Sequence, residues 1–128
     1  MYDGKCLNMR EDISNRFLEF AAKIIELGRF LNKTFEGRHI YGQLFRSGTS
    51  SGANYEESHS AQSTKDFIHK REICLKELRE SLFWLKLIAR SKLVPSDNDI
   101  LMFLLNENQE LINIIAKSLT TTKSKMTK

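Results

Sequence analysis

Apolar side chains return at steps of three and four along nearly the whole chain. Ile13, Phe17, Phe20, Ile24, Leu27 and Leu31 form the first such row. Those steps place every member on one face of an α-helix, whereas a half-buried strand would alternate residue by residue. The chain has one proline, Pro95, and no turn residues at strand-like spacing. An all-α fold follows.

The rows divide into four predicted helices. Asn8 with Glu11 three residues on reads as an N-cap pair, so the first helix is expected from about Met9. Phe35 to Gly37 should end it, glycine being suited to a left-handed turn. A second helix is expected from about His39 to Ala61. Its row is Ile40, Leu44, Ser47, Ser51, Asn54, Ser58 and Ala61, so the seam turns small and polar in the middle. Gly48 and Gly52 lie one turn apart beside it. A glycine inside a helix costs about 1 kcal/mol against alanine, so two of them point to a closely approaching backbone. Ser63 with Asp66 caps a third helix, expected from Thr64 to Ser91, with Phe67, Cys74, Leu78, Leu85 and Ile88 on one face. Pro95 stops it. Ser96 with Asp99 opens a fourth, from about Asp97 to Leu119. Two parallel stripes run along it: Ile100, Leu104, Leu111 and Ile114, then Leu101, Leu105, Ile112 and Ile115. Residues 121–128 read as a flexible basic tail.

Four helices with short connections predict an antiparallel up-down four-helix bundle forming one domain over residues 1–120. At 128 residues the chain is long enough to bury a real core. The third and fourth helices carry more than one apolar face, and Phe83 and Trp84 cannot both point inward. A homo-oligomer is therefore expected, with Phe83, Trp84, Leu87, Leu101 and Leu105 at the subunit interface.

No apolar run approaches the length of a membrane span, and the first residues lack the apolar core of a signal peptide. Cys6 and Cys74 stand alone without metal-ligand spacing, so free thiols in a reducing cytoplasm are expected. The net charge of +4 is unevenly placed. Residues 65–92 hold eight basic and four acidic side chains, and residues 93–110 hold four acidic and none basic. Residues 111–128 hold four lysines and no acid. Lys65, Lys70, Arg71, Lys76, Arg79, Lys86, Arg90 and Lys92 read as spread around the third helix rather than along one face, with Lys86 and Arg90 the best local patch. A basic excess of this kind suits nucleic acid.

Enzymatic chemistry finds little support. Glu56 and His59 have the Glu-x-x-His spacing of di-iron bundles, and Asp66 with His69 is an imperfect second copy. Both pairs flank one turn and would lie near the bundle end, so no metal or other cofactor is assigned. The serines from Ser47 to Ser51 lack a nucleophile elbow, and Gly48 and Gly52 lack the lysine and preceding strand of a phosphate loop. Arg46, Asn54, Glu57, Asp66, Glu77 and Glu80 are expected to form a polar layer that sets helix register, since partly buried charges need partners.

One ordered set of residues resembles the family of small four-helix-bundle proteins called 23S rRNA-intervening-sequence proteins. It comprises Phe17, Phe20 and Ala21; then Gln43, Leu44, Arg46, Ser47, Thr49, Ser50, Ala53, Asn54 and Glu57. It continues with Ser63, Asp66, Phe67, Lys70, Lys76, Glu77, Glu80, Trp84 and Leu85. Ser51 and Tyr55 stand where members often carry an aliphatic residue, and His59 is outside the pattern. The resemblance implies a bundle of a kind that tends to assemble as rings of five, and it supplies no catalytic residues to carry over. Some members are encoded within large-subunit ribosomal RNA genes, and a related bundle that accompanies a reverse transcriptase binds nucleic acid. The resulting expectation is a non-enzymatic cytoplasmic homopentamer that contacts RNA or DNA phosphates through Lys70, Arg71, Lys86, Arg90, Lys117, Lys123 and Lys125. The alternative is a scaffold for an unidentified protein partner.

Overall fold

The computed structural model describes the backbone of residues 4–126 and the side chains of residues 9–126. Four helices account for nearly all of it: α1 (Gly4–Leu31), α2 (Phe35–Ser58), α3 (Thr64–Ser91) and α4 (Asp99–Met126). Each packs against its neighbour in sequence, and α4 returns to α1, so the four close into a ring without diagonal contact. The pairs Ser47–Ser81 and Ser58–Arg71 between α2 and α3 run in opposite senses, as antiparallel helices require. The predicted up-down bundle is the observed fold.

The core is filled from all four helices. Phe20, Ile24, Leu27, Leu44, Leu78, Leu85, Ile88, Leu101, Leu104, Leu111 and Ile115 are buried, each contributing about 1.5–3 kcal/mol through removal of apolar surface from water. Tyr55 is also buried and stacks on Phe17 with ring centroids 4.9 Å apart.

The helix ends differ in instructive ways from the sequence reading. Helix α1 already runs from Gly4, so Asn8 does not begin it. Gly37 does not end α1; it lies in the first turn of α2, where Thr34 caps the helix by accepting a hydrogen bond from the Gly37 amide at 2.9 Å. Glycine is needed there for space, because a Cβ would lie 2.0 Å from the Leu31 carbonyl oxygen. Helix α2 stops at Ser58, short of Ala61. Ser63 caps α3 as expected, accepting from the Asp66 amide at 3.1 Å. Asn98, not Ser96, caps α4: its Oδ1 accepts from the amides of Ile100 and Leu101, while its own amide donates back to Pro95 in a turn. Helix α4 then continues to Met126, through residues the sequence reading leaves in the tail. The extra turns lie against α3, with Lys123 paired to Glu72 at 2.9 Å. Lys128 falls outside the described residues.

The small residues of α2 serve two neighbours. On the α1 side, Cβ atoms added at Gly48 and Gly52 would fall 2.3 Å from Ile24 Cδ1 and 3.3 Å from Phe17 Cβ, so Gly48 makes room for the Ile24 side chain and Gly52 lets α1 come within Cβ contact. On the α3 side, buried Ser47 and Ser81 join hydroxyls at 2.8 Å. The ring closes between α1 and α4 by a different means. Arg16 forms a forked pair with Glu107 at 2.9 and 2.6 Å and reaches Glu110 at 3.1 Å.

Candidate nucleic-acid-binding face

The polar layer behind the candidate face is anchored by Arg46 of α2. Its guanidinium donates to Glu77 at 2.9 Å and also to Glu80, both on α3. Glu80 accepts a further bond from Trp84 Nε1 at 3.1 Å. That bond, with the Arg46 cation, holds the Glu80 carboxyl below its ordinary range. Glu77 is nearly buried, so Arg46 neutralises a carboxylate that would otherwise be stranded. Glu57 pairs separately with Lys70 at 3.1 Å. Asn54 donates to Ser50 within its own helix, and Asp66 lies in the first turn of α3, at the favourable end of the helix dipole. Neither Asn54 nor Asp66 joins the cross-helix layer.

Arg71 has a role that its residue type does not announce. It is only 6% exposed, although the sequence reading counts it as a phosphate contact. Its guanidinium lies 4.6 Å from the Tyr55 ring centroid and 4.4 Å from that of Phe67. Nε donates to Ser58 at 2.8 Å and Nη1 to Ser118 at 2.5 Å, so one side chain ties α3 to α2 and α4. Burial lowers its pKa below the ordinary arginine value. Beside it, burial depresses His59 to about 4, with the Arg10 and Arg71 charges adding to the effect. Burial also pushes the Cys74 thiol up to about 12, as befits an inert core thiol. Among the described residues, no three His, Cys, Asp or Glu side chains gather as a metal-binding group.

The remaining cations of α3 are arranged in a row. At 100° per residue, Lys65, His69, Glu72, Lys76, Arg79, Phe83, Lys86 and Arg90 all fall within a sector of roughly 100°. Every one of them is exposed. These five cations thus line one face and are not spread around the helix; Lys70, Arg71 and Lys92 obscured this by lying elsewhere. The row spans about 37 Å at 1.5 Å per residue. Its one carboxylate, Glu72, is paired with Lys123. Among the described residues, Lys65, Arg79, Lys86 and Arg90 make no ion pair. Between α3 and α4 the row borders a groove of about 530 Å³ lined by Lys76, Arg79, Leu75, Leu119 and Lys123. Lys117 and Lys125 are exposed, but they lie roughly 120° and 160° round α4 from Lys123 and so do not join the row.

The predicted interface residues do not form one surface. Leu101 is fully buried in the core. Trp84, Leu87 and Leu105 are half-buried, and Phe83 stands out at 58% exposure amid the cations. A more continuous apolar surface lies between α1 and α2. It is a groove of about 490 Å³ lined by Phe17, Leu18, Ala21, Gly52 and Ala53 among others, with Leu18, Ile25 and Phe45 exposed nearby. Leu18 and Ile25 are seven residues apart on the side of α1 away from the core. That spacing was the available signal.

No helix among the described residues is long and apolar enough to cross a membrane. No curated protein matches the chain. Among solved structures, a protein of unknown function from the S23 ribosomal protein family of Bacteroides thetaiotaomicron is similar to it. That structure is 34% identical with a TM-score of 0.74, covering 84% of this chain and 97% of its own. The family model for the 23S rRNA-intervening sequence protein matches residues 10–117. The chain belongs to the 23S rRNA-intervening sequence protein family.

Proposed function

We propose that this protein is a non-enzymatic, homo-oligomeric cytoplasmic bundle that binds nucleic acid through phosphate contacts, with α3 as the contact helix. The exposed row on α3 carries the reading. Lys65, Lys76, Arg79, Lys86 and Arg90 recur along one face with their only carboxylate neutralised. Cations in such a row displace the counterions condensed on a polyanion, and an oligomer multiplies the effect. The family's name, which links it to 23S rRNA, favours RNA. The α1–α2 apolar groove supplies surface for contact with a second copy, and a ring of five is the assembly we propose.

Filter binding to ribosomal RNA fragments at two salt concentrations tests the nucleic-acid reading. Five phosphate contacts from one subunit give a log–log salt slope of roughly −3.5 to −4.5, and Arg90→Ala should reduce it by nearly 1. Absence of binding at low salt, or binding indifferent to salt, refutes the proposal. Solution mass and the 260/280 nm ratio of the same peak report assembly and co-purifying nucleic acid together. The same α1–α2 groove favours a second reading, a scaffold for another protein. A stoichiometric protein partner recovered without nucleic acid would support that instead.

A further inference from the structure

We infer that the α3 face takes an unpaired nucleic-acid strand, with Phe83 as the platform on which a base stacks. The inference rests on the nucleic-acid reading above and specifies its substrate.

Phe83 is 58% exposed and stands within the cationic row, between Arg79 and Lys86. Arg79 stands one turn before it and Lys86 one turn after, at the spacing of about 5–6 Å that makes helix neighbours touch. Lys76 and Arg90 lie two turns away on either side. A phenylalanine adds nothing to phosphate binding, and leaving it in water is unfavourable. It gains a partner when a flat apolar face is laid on it. The surrounding charge selects which face. Lys76, Arg79, Lys86 and Arg90 would be costly to cover with an ordinary protein surface, because they would lose water without gaining carboxylates. A strand of nucleic acid brings an anionic backbone for the cations and a base for the ring.

The ring is also held ready. Its centroid is 5.0 Å from that of Trp84, with the planes at 76°, so Trp84 braces it edge to face. Trp84 is in turn fixed by its bond to Glu80 and by an edge contact with His39 at 6.4 Å. The polar layer that pins α2 to α3 therefore also orients the platform. In a duplex the flat faces of the bases are covered by their neighbours, and only edges and phosphates are on offer. An unpaired strand presents the faces.

Fluorescence anisotropy with a labelled oligo(dT), oligo(U) and a duplex of equal length tests this on the full chain. Wild type should bind the unpaired strands more tightly than the duplex. Phe83→Ala should weaken strand binding about tenfold, leaving the salt slope and duplex binding unchanged, while Phe83→Tyr should bind as wild type. Equal losses on strand and duplex, no loss on either, or a preference for duplex overturns the inference. So does a fall in the solution mass of Phe83→Ala, which would make Phe83 a subunit contact. Wild type that binds duplex with ordinary salt dependence and shows no strand preference removes only this inference. Wild type that binds none of the probes at low salt removes the nucleic-acid reading with it.

Discussion

Two glycines five residues apart in α2 should respond to the same substitution with opposite sign. At Gly42 an added Cβ meets nothing within 4 Å, and the position is exposed in the helix. Gly42→Ala should therefore gain about 1 kcal/mol, the difference in helix propensity. At Gly37 the added carbon would lie 2.0 Å from the Leu31 carbonyl oxygen and 3.0 Å from Thr34 Oγ1. The obstacle is backbone, so no side chain can rotate away. Shifting it costs about 1–3 kcal/mol as overpacking. The shift also stretches the Thr34 cap, whose loss costs about 1 kcal/mol. Against a propensity gain of at most about 1 kcal/mol, Gly37→Ala should destabilise by about 1–3 kcal/mol. Thermal melts followed by circular dichroism, at one protein concentration, read both. Each kcal/mol corresponds to about 3–5 °C in a domain of this size. If both variants shift the midpoint in the same direction, the account of Gly37 as a space requirement is wrong.

Two further outcomes concern the end of the bundle around Arg71. Arg71→Ala should cost about 3 kcal/mol in urea denaturation, by removing a buried side chain that joins three helices. Its nucleic-acid salt slope should be unchanged where that of Arg90→Ala falls; an equal fall in both would return Arg71 to the surface role. His59 is held near 4 in the folded chain against about 6.5 when unfolded, so below pH 6.5 the unfolded chain takes up a proton that the folded chain refuses. Its stabilising share is complete above pH 6.5 and is lost as pH falls towards 4, amounting to about 1–2 kcal/mol after allowance for solvent screening. Urea midpoints for wild type and His59→Gln between those pH values should show a shallower loss in the variant; parallel curves would exclude His59 as the cause.

Helix number and α3 were legible because hydrophobic period and the Ser63 cap act locally. The small residues of α2 and the Arg46–Glu77–Glu80 layer were legible because few arrangements can bury glycines, serines and charges together. Other features depended on partners that a single helix cannot show. Arg71 looks like its exposed neighbours until Tyr55 and Phe67 enclose it. The two stripes on α4 read as separate faces, yet the core takes Leu104 and Leu111 from one and Leu101, Ile112 and Ile115 from the other, because α4 turns the line between them inward. Asn98 prevailed over Ser96 because Pro95 first makes a turn. The cationic row was in the sequence all along, in residues at steps of three and four. Net charge per segment does not reveal it, because a face of a helix is defined by angle and not by position along the chain.

The forked pair from Arg16 to Glu107 has a consequence for how the molecule opens. Three sides of the ring join helices that follow one another in the chain, so they can form as successive hairpins with little loop entropy to overcome. The α1–α4 side alone joins distant parts of the sequence, is the least extensive, and is fastened by charge at its edge. It acts as a latch on a hinged sheaf: the other charged pairs between helices, Arg46 with Glu77 and Glu80 among them, tie helices that the chain already keeps adjacent, whereas this one holds together two that it does not.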